Sequence, residues 1–89
     1  MIRVSFGSPF KRAFKKRVKG NPELESKFWK KLELFKNNPF ELSLRTHKLS
    51  GKLKDLWSFS LEYDVRVIFY FTDNGDAVLV DIGNHDQVY

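Results

Sequence analysis

With 89 residues the chain can build one domain around a single core and not two, so residues 1–89 are read as one unit. Sixteen Lys and Arg against eleven Asp and Glu give a net charge of +5, which suits an anionic partner such as nucleic acid or an acidic protein without choosing between them. Cysteine is absent, which excludes disulfides and thiolate metal sites, and no apolar run approaches a membrane span or a signal-peptide core; the expectation is a soluble cytoplasmic protein.

Ile2, Val4 and Phe6 alternate with Arg3 and Ser5 and predict a first strand, broken by Gly7-Ser8-Pro9. Ser8 as N-cap with Pro9 at the first helical position predicts a helix. Its apolar face carries Phe10, Ala13, Phe14 and Val18, its basic face Lys11, Arg12, Lys15, Lys16 and Lys19, and Gly20 ends it. Asn21-Pro22 repeats the device, Glu23 and Glu25 complement the positive end of the helix dipole, and Leu24, Phe28, Leu32 and Phe35 follow at helical spacing as far as Asn37 or Asn38. Two helices joined this tightly form a hairpin, and its apolar seam requires a sheet to cover it.

Pro39 to Lys54 shows neither period and reads as a loop of roughly fifteen residues, long enough to favour a functional role. From Leu56 the period becomes 2: Trp57, Phe59 and Leu61, then, after a turn at Glu62 to Asp64, Val65, Val67, Phe69 and Phe71. Asp73-Asn74-Gly75-Asp76 marks a hairpin, and Ala77 to Ile82 forms the last strand. The fold class is α+β, with an N-terminal strand and a helical hairpin on a twisted antiparallel sheet of about four strands.

Trp29, Trp57, Phe14, Phe28, Phe59 and Phe69 follow these periods and read as core. The lysines of both helices are first a solvated face; they become a phosphate footprint if the fold groups them with Lys48, Lys52 and Lys54. Arg66 stands alone among valines and could pair with Glu62 or Asp81 or take a phosphate. No histidine and carboxylate cluster has metal-ligand spacing and no glycine loop is built for phosphate, so neither metal nor cofactor is implied. The two histidines, His47 and His85, fall in the polar segments Thr46-His47-Lys48-Leu49-Ser50-Gly51 and Gly83-Asn84-His85-Asp86-Gln87-Val88-Tyr89 and invite an acid–base reading.

Those segments, with Tyr63-Asp64-Val65-Arg66-Val67-Ile68-Phe69 and the order strand, helical hairpin, three antiparallel strands, resemble the RelE/ParE superfamily of type II toxins, and within it the YafQ-type ribosome-dependent mRNA endonucleases. The resemblance covers nearly the whole chain. It implies a metal-independent endoribonuclease acting on mRNA at the ribosome, with an antitoxin as neutralising partner. Carried over by position, the YafQ-type pattern gives functional weight to His47, Asp64, His85 and Tyr89, and the RelE-type pattern adds Arg66 as the phosphate-binding arginine. The chain departs from the pattern at Ser58 and Ser60, where the family has a histidine or lysines, and at Asp81, near an expected arginine.

Such cleavage needs a base for the 2′-hydroxyl, an acid for the departing 5′-oxygen and a cation for the charged phosphorane. His85, His47 or Asp64, and Arg66 can supply them, with His85 favoured as acid and Asp64 as base or as orienter of a histidine; the base is left open. Tyr89 would stack on an RNA base or pack on the core, and Lys48, Lys52 and Lys54 would contact RNA. The rival readings are a ParE-type gyrase inhibitor, in which both histidines are dispensable, a degenerate module that binds antitoxin without turnover, and a generic basic RNA-binding domain.

Overall fold

The computed structural model describes residues 1–53 and 55–89, so Lys54, one of the expected RNA-contacting lysines, lies outside the described residues. One sheet contains β1 (Val4–Phe6), β2 (His47–Lys48), β3 (Trp57–Glu62), β4 (Val65–Phe71) and β5 (Ala77–Asn84), in the order β1-β5-β4-β3-β2. β1 runs parallel to β5, and every other pairing is antiparallel. The helices are α1 (Ser8–Arg17), α2 (Pro22–Asn37) and a single-turn α3 (His85–Val88).

α1 lies along β5 and α2 against β3. The helices meet through Phe28, whose ring centroid is 5.7 Å from that of Phe10 and 5.1 Å from that of Phe14. Phe35 carries α2 onto the sheet, stacking on Phe59 at 4.6 Å and meeting Phe69 edge-on at 4.8 Å. Phe28, Phe35, Phe59 and Phe69 are fully buried, and each removes a large apolar area from water. Among the described residues no helix is long and apolar enough to cross a membrane.

Asn21 caps α2 as its sequence predicts, accepting from the Leu24 N–H at 3.2 Å. α1 departs from the expectation: Ser8 is already helical and Gly7 is the cap. β5 explains the shift, because the Gly7 N–H donates to the Leu79 carbonyl at 2.9 Å and a Cβ on Gly7 would lie 3.0 Å from that oxygen.

Two further differences place the site. The expected loop from Pro39 contains β2 and two short 3₁₀ turns, Leu42–Leu44 and Gly51–Leu53, so the sheet has five strands where about four were expected. Two residues are too few to show a period of 2, and the segment is held instead by the fully buried Leu44 and by Thr46 Oγ1 donating to the Pro39 carbonyl at 2.5 Å. At the other end β5 runs past Ile82 to Asn84 and turns directly into α3. Asn84 and Gln87 form a reciprocal capping box, Asn84 Oδ1 accepting from the Gln87 N–H at 2.9 Å and Gln87 Oε1 from the Asn84 N–H at 2.8 Å.

Candidate active site

Residues opposite each other in an antiparallel ladder share a face, so the register writes the site out in rows. Trp57, Phe69 and Leu79 face the helices, as do Phe59, Val67 and Ile82. On the other face one row runs His47, Ser58, Ile68, Asp81, and the next Ser60, Arg66, Gly83. Although it points away from the helices, Ser58 is fully buried, and α3 packs over β4 and β5 on that side.

Tyr89 closes this face. Its phenol oxygen donates to Ser58 Oγ at 3.0 Å, which ties down the last residue of the chain. The His85 ring meets the Tyr89 ring nearly perpendicularly, centroids 4.5 Å apart, and remains largely exposed. His47, directly opposite Ser58, lines with Lys48, Leu53 and Tyr89 a cavity of about 280 Å³. A chain of neighbours therefore links His47, Ser58, Tyr89 and His85, residues spread over more than forty positions of sequence.

His47 has a defined tautomer. Its Nδ1 lies 3.0 Å from the Arg45 carbonyl oxygen, which can only accept, so Nδ1 carries the proton and the neutral ring presents Nε2 as an acceptor. Arg45 supplies that carbonyl from a left-handed backbone conformation, φ 51°, the one non-glycine residue with positive φ among those described.

Arg66 and Asp64 stand at the other end of the face. Arg66, one row and about 7 Å along the strand from Ile68, donates from Nη1 to the carbonyls of Tyr63 at 3.0 Å and Glu62 at 3.3 Å. It takes neither expected carboxylate: Glu62 is held by Lys27 at 2.6 Å and Asp81 by Arg17 at 3.2 Å. The Glu62 hydrogen bond, and then its charge, hold the Lys27 ammonium above its ordinary range. Asp64 is exposed in the β3–β4 turn beside Val65, which pairs with Asn84, the residue before His85. Register thus carries Asp64 to the His85 side and about 13 Å along the strand from the row of His47. No hydrogen bond or ion pair joins it to a histidine among the described residues. Lys48 lies at the cavity, and Lys52 is exposed on the Gly51–Leu53 turn.

Four contributors lie outside the sequence reading. Ser58, taken there as a missing basic residue, is the anchor of Tyr89; Arg45 orients His47; Asn84 and Gln87 build the turn that aims His85. The last pair carried a usable signal, since Asn-x-x-Gln is a helix-start pattern. Gly83 completes the arrangement: a Cβ there would meet Gln87 Oε1 at 2.6 Å and Arg17 Nη1 at 2.7 Å.

The sequence model of the family described as "Bacterial toxin of type II toxin-antitoxin system, YafQ" matches residues 2–89. No curated protein matches by sequence. Among solved structures, YafQ from E. coli strain BL21(DE3) aligns with TM-score 0.81 at 18% identity, covering 100% of this chain and 99% of that one. The E. coli DinJ-YafQ complex gives 0.79 at 20% identity over 100% and 99%. The YoeB/ParE toxin from Agrobacterium tumefaciens gives 0.78 at 12% identity over 94% and 99%.

Proposed function

The chain belongs to the YafQ family of bacterial toxins of type II toxin-antitoxin systems, and on that premise we propose that it is a metal-independent endoribonuclease that cuts mRNA on the ribosome in the cytoplasm. The observation that carries this reading is the joining of His47 and His85 through Ser58 and Tyr89 on one face of the sheet. A gyrase inhibitor has no use for two imidazoles held at one open surface.

His47 is the general base. With Nδ1–H committed to the Arg45 carbonyl, Nε2 accepts the 2′-hydroxyl proton, and the 2′-oxygen attacks the adjacent phosphorus. His85, protonated, gives a proton to the departing 5′-oxygen, leaving a 2′,3′-cyclic phosphate. Arg66 steadies the equatorial oxygens, its Nη1 bonds to turn carbonyls fixing the guanidinium while Nε and Nη2 have no partner among the described residues. Asp64 stands on the His85 side and away from the row of His47, which fits support of the acid better than the role of base. Lys48, Lys52 and Lys54 hold flanking phosphate, and Tyr89, anchored by Ser58, offers its ring to a base.

An antitoxin neutralises it. The groove between α1 and α2, lined by Phe6, Phe10, Phe14 and Trp29 and rimmed by Lys11, Lys15 and Lys19, fits an amphipathic segment with an acidic polar face. Induction of the chain in growing cells tests the function directly. Translated mRNA should be cut into fragments with 2′,3′-cyclic or 3′-phosphate ends; intact mRNA together with inhibited supercoiling by purified protein would transfer the chain to the gyrase class.

A further inference from the structure

β2 covers only Trp57 and Ser58 of its neighbour, so among the described residues the β2-side edge of β3 from Phe59 to Glu62 has no strand beside it. A cavity of about 300 Å³ opens there, lined by Lys31 from α2, Arg45, Ser60, Tyr63 and Arg66. None of the three cations has a carboxylate within ion-pair distance among the described residues, and the one acid in the lining, Glu62, is neutralised by Lys27. Three convergent positive charges without counter-charge are costly to gather unless an anion shares the site. Arg45 reaches it from a left-handed conformation that disfavours a side chain, which is where a chain spends strain for function. At the rim Tyr63 is 93% exposed.

We propose that this cleft is a substrate subsite that holds the phosphate of a nucleotide next to the scissile one in a single-stranded RNA, with Tyr63 stacking on its base. The inference rests on the ribonuclease reading and names where the strand runs. Continuity with the catalytic face supports it. Ser60 and Arg66 form the row beside Ser58, and the same Arg45 that lines the cleft gives its carbonyl to His47. A strand bound here is thereby led toward the two histidines. An acidic protein segment fits less well, because Leu61 is the one aliphatic residue in the lining and an amphipathic helix needs an apolar floor, which the α1–α2 groove provides instead.

The test uses the full chain and a fluorescent 2′-O-methyl oligoribonucleotide, which lacks the attacking hydroxyl and cannot be cut, with affinity measured across a salt series. Arg45→Gly removes the guanidinium but accepts positive φ and keeps the carbonyl at His47. Lys31→Gln removes the second cation, Tyr63→Ala the stacking ring, and Arg12→Gln, on the exposed face of α1, is the control. Each cleft cation removed should weaken binding several-fold and flatten the slope of log K against log salt by about 0.7. Tyr63→Ala should weaken binding without changing the slope, and the control should bind like wild type. Cleft variants that bind as wild type, or an equal loss in Arg12→Gln, would overturn the subsite. So would tighter binding of a Glu- and Asp-rich peptide that shows the same Arg45 dependence. Ribosomal cleavage is scored separately: cleavage without cleft-dependent binding removes the subsite and keeps the enzyme, and cleft-dependent binding without cleavage does the reverse.

Discussion

On the helix-facing side of the sheet, Phe28, Phe35, Phe59 and Phe69 are each fully buried and each touches more than one other ring, whereas on the opposite side His47, Ser58, Tyr89 and His85 are joined in series by single links. The packed side is redundant, so losing one ring weakens a network that the others still hold. The open side is serial, and breaking one link uncouples everything beyond it. The difference teaches where stability and activity separate in this molecule: mutations on the first face should be read in melting curves, those on the second in cleavage rates.

Phe59→Ala gives the largest expected effect. The residue is completely buried and contacts both Phe35 and Phe69, so its truncation should cost about 3–5 kcal/mol, enough to leave a domain of this size marginal. Urea unfolding measures it; a cost below about 1 kcal/mol would mean the packed face is not what holds the fold.

The Tyr89–Ser58 bond should show an asymmetry that sharpens the contrast. Tyr89→Phe leaves a fully buried hydroxyl on Ser58 without its partner, at about 1–3 kcal/mol, while Ser58→Ala leaves a phenol on a residue that is 41% exposed and can turn to water, at about 1 kcal/mol or less. Both should lower cleavage by loosening α3 while the near-ultraviolet spectrum of the core is kept, and the double variant should resemble Ser58→Ala. Equal costs for the two single variants would show that the bond is incidental. The smallest effect belongs to Lys27→Met. Its ion pair with Glu62 is exposed, so the thermal midpoint at neutral pH should not move measurably. Because the Lys27 pKa is raised by that pair, whatever it contributes is complete at neutral pH and fades only as pH rises through a value above the ordinary lysine range.

The same division governs what the sequence made legible. α1, α2, β3, β4 and β5 as far as Ile82 were readable because burial repeats with a period, whereas the single turn of α3 was not, and Asn21-Pro22 announced α2 with a cap that the structure contains. β2 was not, because two residues carry no period, and the strand exists only through its pairing with Trp57 and Ser58. His47, Lys48, Tyr89 and His85 were each named as candidate site residues, but the link that brings them together was invisible. Ser58 looks like an outward strand residue until Tyr89 arrives from thirty-one positions away. Arg45 was equally silent, since its part is played by a carbonyl and a backbone angle that any residue type could in principle supply. Asp64 was expected to serve as base or to orient a histidine; the fold puts it beside His85's strand position and far from His47, which is a matter of register that sequence spacing alone does not reveal.

Cleavage of a translated mRNA on purified ribosomes by wild type, His85→Gln and His47→Gln tests the account most directly. Each substitution keeps a polar side chain of similar reach on an exposed residue, so melting curves should overlay those of wild type. Each variant should lose about a hundredfold or more in rate while its folded fraction is unchanged. Full cleavage by either variant, at equal folded protein, would contradict the assignment of these two histidines as the acid and the base.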